Sequence, residues 1–218
     1  MGHIRFENEE AVFEDLFRRY PVLEPTRDSV RAMADAMEET FASGHKLLIC
    51  GNGGSAADAL HIVSELMKSF TLPRPLDPAF CDKLREMYPE EADFLCSHLE
   101  GALPVIALVE NPSLNTALLN DIGTDISFAQ QVYGLGDPGD MLLCISTSGN
   151  AKNCRLAAMT ARARGLRTAL LTGKSGGALK SLSDISIQVP ETETFKIQEL
   201  HLPIYHTLCM MLEYHFFK

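Results

Sequence analysis

The sequence lacks tryptophan, and none of its six cysteines form a C-x-x-C pair. It also has no apolar run of about 18 residues, so a membrane-spanning helix is not expected. Basic residues are in the minority: 19 Lys and Arg stand against 29 Asp and Glu, a formal net charge of −10. Because non-specific nucleic-acid binding relies on basic surfaces, this charge argues against a nucleic-acid partner. It does not exclude a small phosphorylated ligand, which backbone N–H groups and hydroxyls can hold.

The cysteines lie largely in apolar stretches such as LLIC and LLCIS. Thiols in such positions behave as small buried hydrophobic groups, which indicates a reducing compartment. The opening MGHIRFENEE turns acidic too early for a signal peptide. These features predict a cytoplasmic protein.

A length of 218 residues fits a single domain. Short, nearly continuous apolar runs alternate with helical patterns, which predicts an α/β fold with a doubly wound, parallel five-stranded sheet. The predicted strands are 46–50, 104–109, 141–145, 168–171 and 185–189. The predicted helices that follow are 55–69, 114–134, 150–164, 176–182 and 194–217.

Two regions flank this alternation. Residues 1–44 contain two amphipathic helical patterns, with apolar stripes that suit either a contact between subunits or a cover for the core. Residues 71–103 are proline-rich and then acidic, and they interrupt the rhythm as an insertion. The insertion either caps the site and shapes specificity or is a solvated decoration.

Two loops have the composition of anion-binding sites. Asn52, Gly53, Gly54 and Ser55 follow the first strand and open a helix, where glycines allow close approach and free N–H groups point outward. A tight strand-to-helix turn would use the same residues. The pattern matches neither G-x-G-x-x-G nor the P-loop, so dinucleotide and P-loop sites are disfavoured.

The second loop contains Ser146, Thr147 and Ser148, again between a strand and a helix. One hydroxyl would be enough to cap the helix, and three together favour an oxyanion ligand. A third glycine-rich stretch, 172–177, is interpreted as an ordinary turn.

Two helices carry potential metal ligands. His61 and Glu65 are four residues apart and so share one helical face, while Gln198 and His206 on the last helix are eight apart. Two imidazoles, a carboxylate and an amide oxygen could form a zinc site. Spacing alone favours unrelated side chains, and Pro203 is expected to kink the last helix.

The motifs GNGGSAADALHIVSEL, ND, GDMLLCISTSGN, LTGKSGG and IQELH…H occur in the order seen in the sugar-isomerase (SIS) family. The chain most resembles the bacterial phosphoheptose isomerases, over nearly its whole length except 71–103. The resemblance implies zinc bound by His61, Glu65, Gln198 and His206, with Glu65 as catalytic base and His206 as acid. It also implies substrate binding by both loops and by Asn120 and Asp121, aldose–ketose isomerisation of a phosphosugar, and a homotetramer.

Three features depart from the family pattern. Ala151 stands where a phosphate-binding serine is usual, Lys68-Ser69-Phe70 replaces a Gly-Arg-aromatic sequence, and the insertion is longer than the typical linker. These departures keep two alternatives open. The first is an isomerase of a phosphosugar other than sedoheptulose 7-phosphate. The second is a non-catalytic SIS protein that binds the replication initiator DnaA, a type whose known example lacks the glutamate and the final histidine.

Overall fold

A computed structural model describes residues 6–123 and 125–218. Its centre is a sheet of five parallel strands in the spatial order β2-β1-β3-β4-β5. The strands are β1 (Leu47–Gly51), β2 (Val105–Ala107), β3 (Met141–Ser146), β4 (Arg167–Thr172) and β5 (Ile185–Gln188). The predicted α/β architecture with a doubly wound parallel sheet is confirmed.

Nine α-helices surround the sheet in the described part of the chain. They are α1 (Glu9–Arg19), α2 (Arg27–Ala42), α3 (Gly54–Leu66), α4 (Pro78–Met87), α5 (Ala92–His98), α6 (Pro112–Asp121), α7 (Ser127–Leu135), α8 (Lys152–Ala163) and α9 (Thr194–Phe217). Short 3₁₀ turns occupy Pro21–Thr26 and Lys180–Leu182. None of the described helices is both long and apolar enough to cross a bilayer.

Two predicted helices were wrong in extent. The prediction of one helix over 114–134 fails because α6 ends at Asp121 and α7 begins at Ser127. Between them Gly123 and Asp125 have φ values of 136° and 69°, which a continuous right-handed helix does not allow. The predicted helix over 176–182 is only the short 3₁₀ turn, since Gly176 and Gly177 both have positive φ.

Alternate side chains of each central strand enter two different cores. Leu47 and Ile49 of β1 pack in the cluster that contains α2 and α9, while Leu48 and Cys50 pack in the cluster that contains α8. All five β1 residues are buried. Burial on both faces explains why the strands have continuous apolar sequences rather than alternating ones.

The apolar stripe of the N-terminal helices is buried within its own chain. Phe13, Leu16 and Phe17 of α1 are all buried and belong to the same core cluster as α9. Of the two uses predicted for this helical pair, the structure shows the cover for the core.

α9 runs as one uninterrupted helix past Pro203, where the sequence predicts a kink. The amide missing at Pro203 would have bonded to the carbonyl of Glu199, four residues earlier. Glu199 is exposed, so water can satisfy that carbonyl.

The segment that leads into α4 and α5 is hydrogen-bonded to α3 and α9. Phe70, just before the insertion, and the first two residues of the insertion, Thr71 and Leu72, donate three backbone N–H groups to the buried carboxylate of Glu213 on α9. The guanidinium of Arg74 donates to the same carboxylate and to the carbonyls of Leu66 and Glu65 at the end of α3. A strap of residues 70–74 therefore joins α3 to α9.

Candidate active site

The loops that follow β1 and β3 meet at the carboxyl edge of the sheet. From β1 the sheet continues in one direction to β2 and in the other to β3, so the edge has a topological switch point there. A pocket of about 130 Å³ opens at this point. It is lined by residues of both loops: Asn52, Ser55, Ile145, Ser146, Thr147, Ser148 and Ala151.

The side chain of Asn52 connects the first loop to α8. Its amide donates to Asn153 Oδ1 at 3.0 Å and accepts from Asn153 Nδ2 at 2.8 Å. Next to it, Gly53 has φ of 57°, a conformation that favours glycine. The first loop is thus held in a fixed shape facing the second.

The third glycine-rich stretch lies directly behind the second loop. Gly149 and Gly177 pack so closely that a Cβ on Gly149 would collide with the carbonyl of Gly176. The amide of Ala178 donates to Asn150 Oδ1 at 3.0 Å. Residues 172–177 therefore support the hydroxyl loop from outside the pocket, in agreement with their interpretation as a turn.

Asn120 and Asp121 do not line this pocket. Both are exposed at the end of α6, where Asn120 Nδ2 donates to Asp121 Oδ1 at 2.7 Å. Their predicted contact with substrate stays a prediction.

The predicted acid–base residues lie together on α3 and α9. His61 Nε2 is 3.2 Å from Glu65 Oε1 and 3.4 Å from His206 Nε2. The His61 ring is therefore in the middle, with the carboxylate and the second imidazole on either side. The i,i+4 spacing on α3 produces the first contact, and the packing of α3 against α9 produces the second.

The two carboxylate oxygens of Glu65 have different surroundings. Oε1 faces His61, whereas Oε2 is buried and accepts no hydrogen bond from residues 6–123 and 125–218. The ammonium of Lys68 is 3.6 Å from Oε2, which is an ion-pair distance rather than a hydrogen bond. A buried carboxylate oxygen without a donor is available to take up a proton or to bind a cation.

His206 is half-buried between two aromatic rings. Its ring centroid lies 5.4 Å from that of Phe70 and 5.1 Å from that of Tyr205. Burial lowers the pKa of the His206 imidazole, and the adjacent His61 lowers it further. The neutral form is therefore favoured near neutral pH, and Phe70, which keeps the aromatic residue of the family pattern, belongs to the site.

Two residues that the sequence analysis missed support His61 from the opposite side. The hydroxyl of Tyr205 is 3.0 Å from His61 Nδ1 and 3.3 Å from Asp58 Oδ1. Burial and the Asp58 carboxylate raise the pKa of the Tyr205 phenol, so it stays protonated. Burial also raises the pKa of Asp58, although the Tyr205 hydroxyl opposes this. Asp58 could have been found from its three-residue spacing to His61, but Tyr205 gives no such signal.

Gln198 lies at the other end of the α3–α9 contact. Its side chain packs so closely over Gly54 that a Cβ there would collide with the amide. Gln198 is two helical turns from His206, about 12 Å along the axis. The structure thus groups three of the four predicted zinc ligands and places Gln198 against the first loop.

The donor atoms of His61, Glu65 and His206 suit a divalent transition metal. Two imidazole nitrogens and a carboxylate are a common catalytic zinc set that leaves a position open for substrate. Two Nε2 atoms facing each other, with Glu65 Oε1 3.2 Å from one of them, fit an ion bound among them. The residues present therefore fit the metal that the family resemblance implies.

Elsewhere in the described residues, one tighter group of potential ligands occurs. Carboxylate oxygens of Glu9 and Glu38 and a ring nitrogen of His215 all lie within 4.8 Å of one another. These side chains belong to α1, α2 and the end of α9, and Arg31 already pairs with Glu9 at 3.2 Å. This trio is separate from the pocket.

Comparisons with known proteins agree with this arrangement. Models of the SIS domain match residues 15–86 and 116–214. The phosphoheptose isomerase of Pelobacter propionicus is 38% identical over 209 residues, which is 96% of this chain and 94% of that protein.

Two solved structures have the same fold with similar coverage. The phosphoheptose isomerase of Francisella tularensis superposes with a TM-score of 0.73 at 31% identity, covering 93% of this chain and 95% of that one. The phosphoheptose isomerase GmhA of Neisseria gonorrhoeae gives a TM-score of 0.72 at 30% identity, with coverage of 94% and 96%.

Proposed function

The chain belongs to the SIS domain family, among the phosphoheptose isomerases, and from that premise we propose that it interconverts sedoheptulose 7-phosphate and glycero-manno-heptose 7-phosphate. The observation that carries the proposal is the contact of His61 with both Glu65 and His206, on the helix that starts at the pocket lined by loop hydroxyls. Aldose–ketose isomerisation needs a base, an acid and a phosphate site, and this arrangement contains candidates for each.

The pocket at the switch point would bind the phosphate. Ser146, Thr147 and Ser148 offer hydroxyl donors, and Asn52 and Ser55 add polar side chains to the lining. This arrangement holds an anion without a lysine or arginine, in keeping with the negative net charge. With the phosphate fixed there, the other end of an extended sugar can reach toward α3 and α9.

Glu65 would transfer the carbon-bound proton, and His206 would exchange protons with the oxygens on C1 and C2. The reaction removes a proton from one of the two carbons C1 and C2 and returns it to the other, through an enediol or enediolate. The buried Oε2 of Glu65, which accepts no hydrogen bond, is suited to carry this proton. With its imidazole released from the metal, His206 would donate to the developing oxyanion on one carbon and accept the hydroxyl proton from the other, so that protons balance over the cycle.

His61, Glu65 and His206 would hold a zinc ion. The family resemblance implies Gln198 as a fourth ligand, but its side chain lies against Gly54 of the first loop. Bound zinc would polarise the carbonyl and hydroxyl oxygens of the sugar. Glu65 Oε1 lies next to His61 Nε2 and would be the carboxylate oxygen that binds the metal. Oε2 would then be free to accept the proton.

The test is a direct assay with the purified protein. Sedoheptulose 7-phosphate is supplied, and the appearance of an aldose phosphate is followed by NMR. Incorporation of deuterium from solvent at C2 of the aldose supports proton transfer through an enediol. No conversion with zinc present would contradict the proposed function.

A different phosphosugar is the second candidate substrate. Ala151 lines the phosphate pocket where the family usually has a serine, so one potential phosphate donor is missing. Parallel assays with shorter ketose and amino-sugar phosphates decide between the substrates. The alternative of a DnaA-binding protein is disfavoured, because its known example lacks the glutamate and the final histidine. Here Glu65 and His206 are both present and lie near His61.

We also propose a homotetramer in the cytoplasm. The tetramer rests on the family resemblance, since the N-terminal stripe is used within the chain. The cytoplasm is supported by six cysteines that are all unpaired. Light scattering that finds a 24.0 kDa particle, the mass of one chain, would contradict the tetramer.

A further inference from the structure

We propose that Asp58 and Tyr205 are positioning residues that fix His61 in one tautomer, with its proton on Nδ1 and its lone pair on Nε2. The inference deepens the proposed function, because it concerns how one ligand of that site is prepared. It does not require a particular sugar.

The three side chains form a continuous chain of polar contacts. Asp58 and His61 are three residues apart on the same face of α3, and Tyr205 reaches them from α9. The Tyr205 ring is only 2% exposed and packs edge-on against the His61 ring at 5.4 Å. With the ring fixed in this way, its hydroxyl can contact only what the two helices present to it.

The number of hydrogen-bond donors available to Asp58 indicates to which residue the Tyr205 hydroxyl donates its proton. The carboxylate of Asp58 has one oxygen, Oδ2, that is buried and accepts nothing from the described residues. Its other oxygen has the Tyr205 hydroxyl as its side-chain donor. If Tyr205 donated to His61 instead, the carboxylate would lose this donor as well, and leaving a buried charged group without donors is costly. Tyr205 therefore donates to Asp58.

The tautomer of His61 follows from that direction. A hydroxyl that gives its proton to Asp58 presents only lone pairs to His61, so Nδ1 must carry the hydrogen. The neutral ring then has its lone pair on Nε2, the atom that faces Glu65 and His206. A metal-binding imidazole is oriented in this way when its other nitrogen donates to an outer partner. Here that partner is a tyrosine backed by a carboxylate.

The first experiment needs no variant. Protein labelled with ¹⁵N-histidine is examined free of metal by two-bond ¹H–¹⁵N NMR, at a pH where the rings are neutral, with the His61 signals assigned by their loss in His61→Gln. The expected result is a protonated Nδ1 and an unprotonated Nε2. A protonated Nε2 would overturn the proposal.

The second experiment compares two tyrosines of the same helix. Tyr205→Phe removes the contact to Asp58 and His61, whereas Tyr214→Phe removes an equally buried hydroxyl that accepts from the Phe6 amide. Zinc affinity, measured by competition with a chromogenic chelator, should fall about 10- to 100-fold in Tyr205→Phe. It should be unchanged in Tyr214→Phe.

Asp58→Asn gives a further variant if Tyr205→Phe does not fold. The amide of the new asparagine can donate to the Tyr205 oxygen, so Tyr205 is free to donate to His61. The direction of the hydrogen bond then no longer sets the tautomer, and the NMR signals should show both forms of the His61 ring. Wild-type zinc affinity in folded Tyr205→Phe, or an unchanged tautomer in folded Asp58→Asn, would refute the proposal. Neither the tautomer nor the zinc affinity is measured through turnover. A failure of the proposed isomerase activity can therefore be distinguished from a failure of this proposal.

Discussion

Arg74 Nη2 donates a hydrogen bond of 2.8 Å to the backbone carbonyl of Glu65, the residue proposed as the base. The guanidinium is fully buried, and its Nε also donates to the carboxylate of Glu213, which is equally buried. An insertion that looks peripheral in the sequence therefore supplies the cap at the end of α3. The position of Glu65 depends on a charge pair between the insertion and α9.

Glu213→Gln should destabilise the fold by about 3–5 kcal/mol, because it leaves the Arg74 charge buried without a counter-ion. Urea unfolding at neutral pH measures the change. Asp93→Asn is the matched control, since it breaks an exposed Arg85 pair that contributes little to stability. A loss in Glu213→Gln no larger than in this control would show that the pair is not needed.

Glu65→Gln should abolish isomerisation while the fold is retained. The change is nearly isosteric but removes the proton acceptor, so turnover should fall by a factor of about 10² or more. Product formation and circular dichroism are measured together. Glu199→Gln, an exposed change on α9, should retain wild-type turnover. A folded Glu65→Gln protein with normal turnover would exclude Glu65 as the base.

Ser148→Ala should weaken binding of the phosphorylated substrate. Loss of a hydrogen bond to a charged group costs about 1.5–3 kcal/mol, which corresponds to a rise in KM of roughly 10- to 150-fold. Steady-state kinetics on a sugar phosphate and on the same sugar without phosphate separate the effects. Ser181→Ala removes an exposed hydroxyl outside the pocket and should leave KM unchanged. Equal activity of the wild type on both sugars would argue against a phosphate site.

Removal of metal should reduce activity together with zinc content. The protein is dialysed against a chelator, analysed for zinc, and assayed before and after zinc is returned. His61→Ala should lower zinc content and turnover in parallel, because it removes the ligand between Glu65 and His206. Full activity of the chelated protein would make the ion dispensable and leave Glu65 and His206 as a metal-free acid–base pair.

Ionisation of the Glu38 carboxyl should lower the free energy of unfolding as the pH rises. Its burial and the neighbouring Glu9 raise the pKa of the Glu38 carboxyl from 4.5 to about 7. Between these values the unfolded chain ionises the group and the folded protein does not, so the free energy of unfolding falls with rising pH. Below about pH 4.5 the group is protonated in both states and contributes no slope.

Glu38→Gln removes this titration and tests the sign. Urea unfolding should show the variant gaining stability relative to wild type between about pH 4.5 and 7.5, with most of the gain reached by the upper value. Glu39→Gln, an adjacent and exposed change, should not alter the pH dependence in this way. A variant that lost stability as the pH rose would contradict the assignment.

The sequence predicted the sheet and the loops well because both depend on local signals. Nearly continuous apolar runs marked the strands, and the composition of Asn52 to Ser55 and of Ser146 to Ser148 indicated loops that contribute residues to one pocket. The interruption between α6 and α7 was missed, because the left-handed Asp125 does not stand out in the sequence. Glycine at 123 alone did not outweigh the surrounding apolar pattern.

Contacts between distant segments were beyond the reach of sequence patterns. Nothing in the sequence near Arg74 indicates that it meets Glu213, which is 139 residues later. Tyr205 looked like one more apolar residue of α9, and its contact with Asp58 appears only when the two helices pack. The i,i+4 pair of His61 and Glu65 could be predicted, but its contact with His206 could not be derived without the family resemblance.

The order of the elements has a consequence for synthesis on the ribosome. α9 packs in the same core cluster as α1 and α2, contributes His206 and Tyr205, and neutralises Arg74, yet it follows every other described element along the chain. A nascent chain without residues 194–217 has an uncovered apolar sheet face and a buried guanidinium without its partner. Partly synthesised chains that stop before residue 194 should therefore be targets for chaperones and proteases, and the site is complete only after α9 has been made.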